Sequence, residues 1–479
     1  MRSYNLLTPL AAALFLQCCT TTTASIQRPT PTTSKAIFHP DHIRANKLTN
    51  IVGGGKSKTV EVEVGGGTAS VTNEIFNLVK AIVGAGVLSL PAGIAAFGNA
   101  PSATLPANAL IIIIGAFSAY GFSLIGRICA ATKSSSYREA WDNTVGPSTS
   151  WITAFSSTFS CFFANLAYSM ILTDTFKNLL SSAGITISRE KALFGVTMVI
   201  LPLCLLKDLS SLAPFSLLGI MGMIYTTVAM GLRYLGGGYA VPNGEFVKDL
   251  AAQPSFGNKG IMSVLSPSSF ILISMLSTSY MAHFAAPKFY TELKNNTIER
   301  FNLVVTSSFA ISIGLFCVVA SLGFLTFGTA SDGLILNNYS NKDTLMSLSR
   351  VAVALSIVFS YPLVFVGTRE GLLDLANVSA ADRTDKLVDK ITVLALAVVT
   401  AAALVVSDLS FVLSFAGATL GNALIYVMPA LMFRSMIKKL GDDATAAQKA
   451  EVGFAMLSCL LGIIMGGLGA YMSVKSLVE

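Results

Sequence analysis

The chain has 479 residues, 53% of them hydrophobic and 12% charged, with a formal net charge of +7. Repeated apolar runs of about 20 residues mark an all-α polytopic membrane protein. The Lys and Arg residues sit in short segments between these runs rather than on one basic face, which argues against nucleic acid as a partner. Three histidines, no HExxH and no GxSxG leave nothing to support an enzyme, a metal centre or a cofactor.

Residues 1 to about 70 differ from the rest. Arg2 precedes a short apolar run, Leu6 to Cys19, and a Ser/Thr/Pro-rich stretch follows that is basic except for Asp41. The run is too short to span and resembles a signal-peptide core, while the tail behind it is transit-like. Together they suggest a bipartite leader of the kind used by algae with complex plastids; the alternative is a disordered tail. Gly53-Gly54-Gly55 and Gly65-Gly66-Gly67 bracket a flexible linker. Two regions are therefore expected, 1–70 for targeting and 71–479 for the membrane domain.

The first apolar segment, NEIFNLVKAIVGAGVLSLPAGIAAFGN over Asn73 to Asn99, is interrupted by Gly84-Ala85-Gly86 and then by Pro91. Backbone left unpaired at membrane depth is tolerated only inside protein or along a polar cavity, so the interruption suggests a binding site for an anionic group such as a carboxylate. Small-residue helix packing is the plainer alternative. Eleven spans are expected, at approximately 75–96, 107–130, 151–174, 190–206, 211–234, 265–286, 301–327, 345–368, 389–407, 410–433 and 450–473. Lys and Arg are more frequent after the even-numbered spans, which places the start of the first span in the cytosol or stroma. The seven cysteines are scattered without metal-ligand spacing. Three glycosylation sequons occur, at Asn295, Asn338 and Asn377, of which only Asn338 lies on the expected outer side.

Several stretches carry a resemblance. NLVKAIVGAGVLSLP in the first span, LPLCLLKDLSSLAPFSLLGI from Leu201 to Ile220, YTEL from Tyr290 to Leu293, GFLTFG from Gly323 to Gly328, and VLSFAGATLGNALIYVMPA from Val412 to Ala430 are similar to the amino acid/auxin permease family. Its nearest-looking branch holds the sodium-coupled neutral amino acid transporters and their vacuolar relatives. The resemblance implies about 11 transmembrane helices in a 5+5 inverted repeat of the LeuT/APC kind, with helices 1 and 6 broken at the substrate. The sixth span, with Ser277-Thr278-Ser279 followed by His283 and Pro287, fits a second break.

On this reading Val83, Gly84, Ala85, Gly86 and Val87 offer amides to an α-carboxylate. Thr278, Ser279 and the carbonyls around Leu276 receive the amino group, and hydroxyls bonded back to their own helix are the alternative. Lys80 departs from the family: several sodium-coupled members have asparagine there, with a hydroxyl partner that aligns with Ser360. An ammonium cannot ligate a cation, so transport independent of sodium is expected, with H+ as the alternative drive through Lys80 or His283. Snorkelling of Lys80 to the interface is the alternative for that residue. Asn77, Asn165 and Tyr168 are further polar candidates, Asn422 fits close helix packing, and Arg369 and Glu370 fit interface anchors. The expected function is secondary transport of neutral, zwitterionic amino acids, as symport or antiport; the alternative is an amino-acid sensor with little flux. The expected location is a plastid envelope or a vacuolar or other endomembrane, surrounded by lipid.

Overall fold

The computed structural model describes residues 67–206, 216–376, 378 and 382–478. The expected leader and linker up to residue 66, the start of the fifth span and the sequon at Asn377 lie outside the described residues. Helices α1 (Val71–Ile82) and α2 (Leu90–Ala95) are joined by a tight turn over Ala85–Ser89. There follow α3 (Thr104–Thr132), α4 (Tyr137–Thr144), α5 (Ser150–Ser182), α6 (Arg189–Cys204) and α7 (Ser216–Leu235). The second half runs through α8 (Ser269–Ser279), α9 (Ala286–Glu292), α10 (Ile298–Phe327), α11 (Thr344–Leu375), α12 (Asp385–Val405), α13 (Leu409–Ala416), α14 (Met428–Leu440) and α15 (Ala446–Val478).

Among the described residues eight helical stretches are long and apolar enough to cross a membrane, and a ninth is the α1/α2 pair, bent by 42°. Eleven were expected. The shortfall has a physical basis at α6: its 16 residues reach roughly 24 Å at 1.5 Å per residue, short of a hydrocarbon core of about 30 Å. Before α7, residues 207–215 lie outside the described part.

The outer surface of the bundle is apolar over long stretches, and its mostly apolar interior also encloses polar groups. Ile112 on α3, Phe194 on α6 and Leu394 on α12 are exposed, whereas Asn165, Ser277, His283 and Asn422 are buried. This is the pattern of a multi-pass integral membrane protein. Helix α11 packs along α5 and α7, α10 along α3 and α1, and α8 lies among α2, α13 and α15.

Short polar side chains mark where helices leave the membrane. Ser70 accepts from the Asn73 amide, Ser136 from Glu139, and Asp408 from Phe411, each satisfying a donor that the first turn leaves open. Helix α5 runs eight residues beyond its expected end at 174 because its last turns dock on a loop. Asn178 Nδ2 donates to Asn337 Oδ1 at 3.0 Å, and Ser182 Oγ to the Asn341 carbonyl at 3.0 Å. None of the five described cysteines forms a disulfide.

Candidate functional site

The interruption read in the first span is a change of backbone path. The Val83 amide still donates to the Val79 carbonyl at 2.7 Å, closing the last turn of α1, and the Gly84 amide turns back to Ile82 at 2.9 Å. Gly84 is extended, at φ −100° and ψ −169°, and the chain rewinds tightly from Ala85. Pro91 sits in the first turn of α2, where its missing N–H costs nothing, so it starts the second half-helix rather than ending the first.

The second break lies opposite. Helix α8 ends at Ser279, the chain passes through Tyr280, Met281 and Ala282, makes one tight turn over His283–Ala285, and re-enters helix at Ala286 with Pro287 in the first turn. The two breaks touch. A Cβ built on Gly86 would lie 2.9 Å from Ser279 Oγ and 3.6 Å from Ser279 Cα, closer to the oxygen than real side chains come. A Cβ on Gly84 would lie 3.6 Å from the Tyr168 hydroxyl of α5. The Tyr168 ring stands 6.3 Å from that of Tyr361 on α11, and Tyr361 shares a 2.9 Å hydrogen bond with Ser169. Gly84, Gly86, Ser279, Tyr168 and Tyr361 thus converge from four helical segments.

The remaining candidates spread around this centre. Val83, Ala85 and Val87 are buried. The Leu276 carbonyl accepts from the Tyr280 amide at 2.9 Å and keeps a second lone pair. Thr278 Oγ1 donates outward to the Leu413 carbonyl of α13 at 2.5 Å, and Ser279 Oγ donates back to Met275 at 2.8 Å. Ser277 Oγ bridges the Ile273 carbonyl and Asn422 Oδ1, so Asn422 ties α8 to the helix opposite. Asn165 Nδ2 donates to Cys161 and to Thr368 Oγ1, a link between α5 and α11.

Lys80 is half-buried in the last turn of α1, and Ser360 is half-buried in α11 one residue before Tyr361. Asn77 is exposed on α1. His283 is fully buried: its Nε2 lies 2.8 Å from the Ser118 carbonyl on α3, its Nδ1 has no partner, and the rings of Phe122 and Phe309 stand against it. Arg369 pairs with Glu370 at 3.1 Å, and Glu370 with Arg383 at 2.8 Å, a cluster at the end of α11.

Glycines bring neighbouring main chain close to α8. A Cβ on Gly93 of α2 would meet Leu272 Cδ1 at 2.9 Å; one on Gly417 would meet the Ser274 carbonyl oxygen at 1.8 Å; one on Gly469 of α15 would meet Ser274 Oγ at 2.1 Å. Beyond Gly417 the helix widens to π winding over Gly417–Gly421 and Ala423–Val427, a form concentrated at functional sites. A cleft of 420 Å³ opens away from the breaks, where the end of α2 meets the segment before α8, lined in part by Phe97, Lys259 and Ser263.

Sequence reasoning missed two residues. Tyr361 carries no motif and reads as one more aromatic in an apolar span. Glu74 reads as an ordinary acidic residue in a first helical turn, yet it is 1% exposed and neither carboxylate oxygen has a hydrogen-bond partner.

Comparison with known proteins agrees with this fold. The solved structure of MhsT in complex with L-phenylalanine superposes with a TM-score of 0.56 at 11% identity, over 85% of this chain and 99% of that one. The inward-facing conformation of Mhp1 gives 0.51 at 11% identity, over 86% and 90%. Among sequence relatives, vacuolar amino acid transporter 7 of Saccharomyces cerevisiae is 25% identical over 62% of this chain and 58% of its own length. Amino acid transporter AVT6E of Arabidopsis thaliana is 23% identical over 85% and 84%, and sodium-coupled neutral amino acid symporter 2 of Danio rerio 24% over 86% and 83%. The model of the transmembrane amino acid transporter protein family matches residues 67–474. The chain therefore belongs to that family, the amino acid/auxin permeases.

Proposed function

We propose that this protein is a secondary transporter of neutral, zwitterionic amino acids that works by alternating access, independently of sodium and driven by protons. The observation that carries this reading is the meeting of the two helix breaks at Gly86 and Ser279. The amides of Val83 to Val87 receive the substrate α-carboxylate. Within this stretch the Val83, Gly84 and Val87 amides are bonded to Val79, Ile82 and Gly84. The Ala85 and Gly86 amides, which open the tight turn, are therefore the ones left without a partner in it, where the helix dipole is positive. The carbonyl of Leu276, with Ser279 beside it, receives the amino group, and Tyr168 and Tyr361 wall the side chain; Thr278, bonded outward to Leu413, stands outside this contact. Lys80 with Ser360 stands at the family's sodium position and supplies a fixed positive charge in its place. His283 is a second ionisable group close to the break.

Motion is proposed along the 5+5 inverted repeat, with α1/α2 and α8/α9 as the equivalent broken spans of eleven. Family membership and the relatives named for amino acid transport support the substrate class. The relatives named as vacuolar support an endomembrane location; a plastid envelope rests on the leader alone. The test is uptake of a panel of tritiated amino acids into liposomes holding the full chain, with Na⁺ and pH gradients imposed separately. Saturable uptake on the pH gradient alone is expected. Saturable binding without uptake or exchange would replace transport by sensing.

A further inference from the structure

The face at which α1 begins is closed by a short strap. The Ala69 amide donates to the Glu292 carbonyl at 3.0 Å, and the Lys294 amide donates to the Ala69 carbonyl at 2.8 Å, so residues beside Ala69 and Leu293 pair as two parallel strands would. A Cβ on Gly67 would lie 2.3 Å from the Glu292 carbonyl oxygen, so the strap lies flat on the end of α9 only because glycine stands there. One residue after Ala69, Ser70 caps α1. Strap, cap and half-helix are one continuous piece bound to the end of α9.

Glu74 follows the strap in the first turn of α1. Its side chain is 1% exposed, and both oxygens lack a donor. The neighbouring donors are directed elsewhere. Ser308 Oγ of α10 donates to the Ile75 carbonyl at 3.2 Å, and Lys288 Nζ of α9 lies 3.7 Å from Glu292 Oε1 on the exposed rim. Lys288 and Glu292 are the charged groups that act on Glu74 from α9, with opposite sign, and α10 presents the Ser308 hydroxyl. An ionised carboxylate is acceptor-only, and burying one unpaired costs several kcal/mol, a charge that a bound proton removes. A helix-dipole role explains an acidic residue in the first turn but not its complete enclosure. The other ionisable group beside a break, His283, is held at Nε2 by Ser118 between two phenylalanine rings, so it changes partner only by repacking.

We propose that Glu74 is the carboxyl group that carries the coupling proton, and that the strap over Ala69 is the gate that controls its exchange with water. With the strap closed the Glu74 O–H is intact and enclosed. When α1 parts from α9 the two strap hydrogen bonds break, water reaches the carboxyl, the O–H bond breaks heterolytically, and the proton leaves to solvent while its electron pair stays on the carboxylate. The carboxylate then has Lys288 within its field. On the return stroke the charged carboxylate is balanced by Lys288. The O–H bond re-forms with a proton from water on the opposite face once the strap has closed and that side has opened, so one proton crosses per cycle. This assignment rests on the transport reading and names its coupling ion and residue.

The test uses full-length protein in liposomes containing the pH dye pyranine, with a mixture of tritiated L-amino acids as probe. Exchange of internal for external amino acid is measured with no gradient; accumulation and dye response are measured under a pH gradient. A gradient of about one pH unit sustains about tenfold accumulation at one proton per substrate. The unaltered protein is expected to show exchange, accumulation and a substrate-dependent dye signal. Glu74→Gln, neutral and of the same shape, is expected to keep exchange while losing accumulation and dye signal, and Glu74→Asp to recover part of both. Accumulation and proton movement preserved in Glu74→Gln would overturn the assignment. So would loss of exchange in both variants, which marks a structural role. Exchange by the unaltered protein without proton movement overturns Glu74 alone, whereas no exchange at all overturns the transport reading itself.

Discussion

Gly86 and Ser279 face each other across two helix breaks with no room for a methyl group between them: a Cβ on Gly86 would sit 2.9 Å from Ser279 Oγ. The contact joins segments almost two hundred positions apart in the chain. Gly86→Val is expected to lower transport about five- to hundredfold, since overpacking costs roughly 1–3 kcal/mol and 1.4 kcal/mol is a factor of ten. Because the nearest obstacle is the hydroxyl, Gly86→Ala with Ser279→Ala is expected to transport better than Gly86→Ala alone. Uptake rates of the four proteins of this cycle check it; strict additivity would count against the contact.

Tyr168 presents its hydroxyl to Gly84, and Tyr361 braces it from α11 while bonded to Ser169. Tyr168→Phe is expected to raise KM about five- to tenfold with little change in maximal rate, as loss of one hydrogen bond costs about 1 kcal/mol. Tyr361→Phe is expected to act in the same direction and more weakly. Concentration dependence of initial uptake separates the two parameters.

The proposed sodium independence rests on Lys80 standing in for a sodium-ligating side chain of the first span. Uptake by the unaltered protein is expected to be the same in Na⁺ and in choline medium. Lys80→Asn, which replaces the ammonium by a neutral side chain with an oxygen, is expected on this proposal to introduce stimulation by Na⁺. Strict sodium dependence of the unaltered protein would refute the assignment of Lys80.

Stability at the opposite face depends on Asp343. Its fully enclosed carboxylate accepts from Arg233 Nη2 at 2.8 Å, from the Tyr239 hydroxyl at 2.9 Å and from the Met346 amide at 3.3 Å, so it joins α7, the loop after it and the start of α11. Asp343→Ala leaves Arg233 and the helix start without this partner. A loss of about 3–5 kcal/mol is expected, as for other enclosed ion pairs deprived of one member. A lowered midpoint of thermal unfolding in detergent measures it.

The sequence made the membrane class, the family and the position of the first break legible, because each is written in contiguous residues: apolar length, a motif, a glycine pair beside a proline. The second break was legible only by analogy, from Ser277 to Pro287. Contacts between distant segments were not. Nothing local shows that Thr278 is directed at Leu413 instead of inward, or that Asn77 lies on the exposed side of α1. Glu74 was hidden for a different reason. An acidic residue behind a serine cap is what any helix start looks like, and only the packing of distant segments, α10 chief among them, reveals that this one is enclosed.

Glycines at 93, 417 and 469 bring main chain against α8 from separate directions. A Cβ added at Gly417 meets the Ser274 carbonyl, one at Gly469 the Ser274 hydroxyl and one at Gly93 the Leu272 side chain, so the broken helix is closely packed on those sides. Variation in the substrate side chain must then be absorbed on the remaining side, where aromatic rings from α5 and α11 can turn or be exchanged. Relatives that take larger or smaller amino acids are accordingly expected to differ from this chain at Tyr168 and Tyr361, and directed changes of selectivity have their best starting point there.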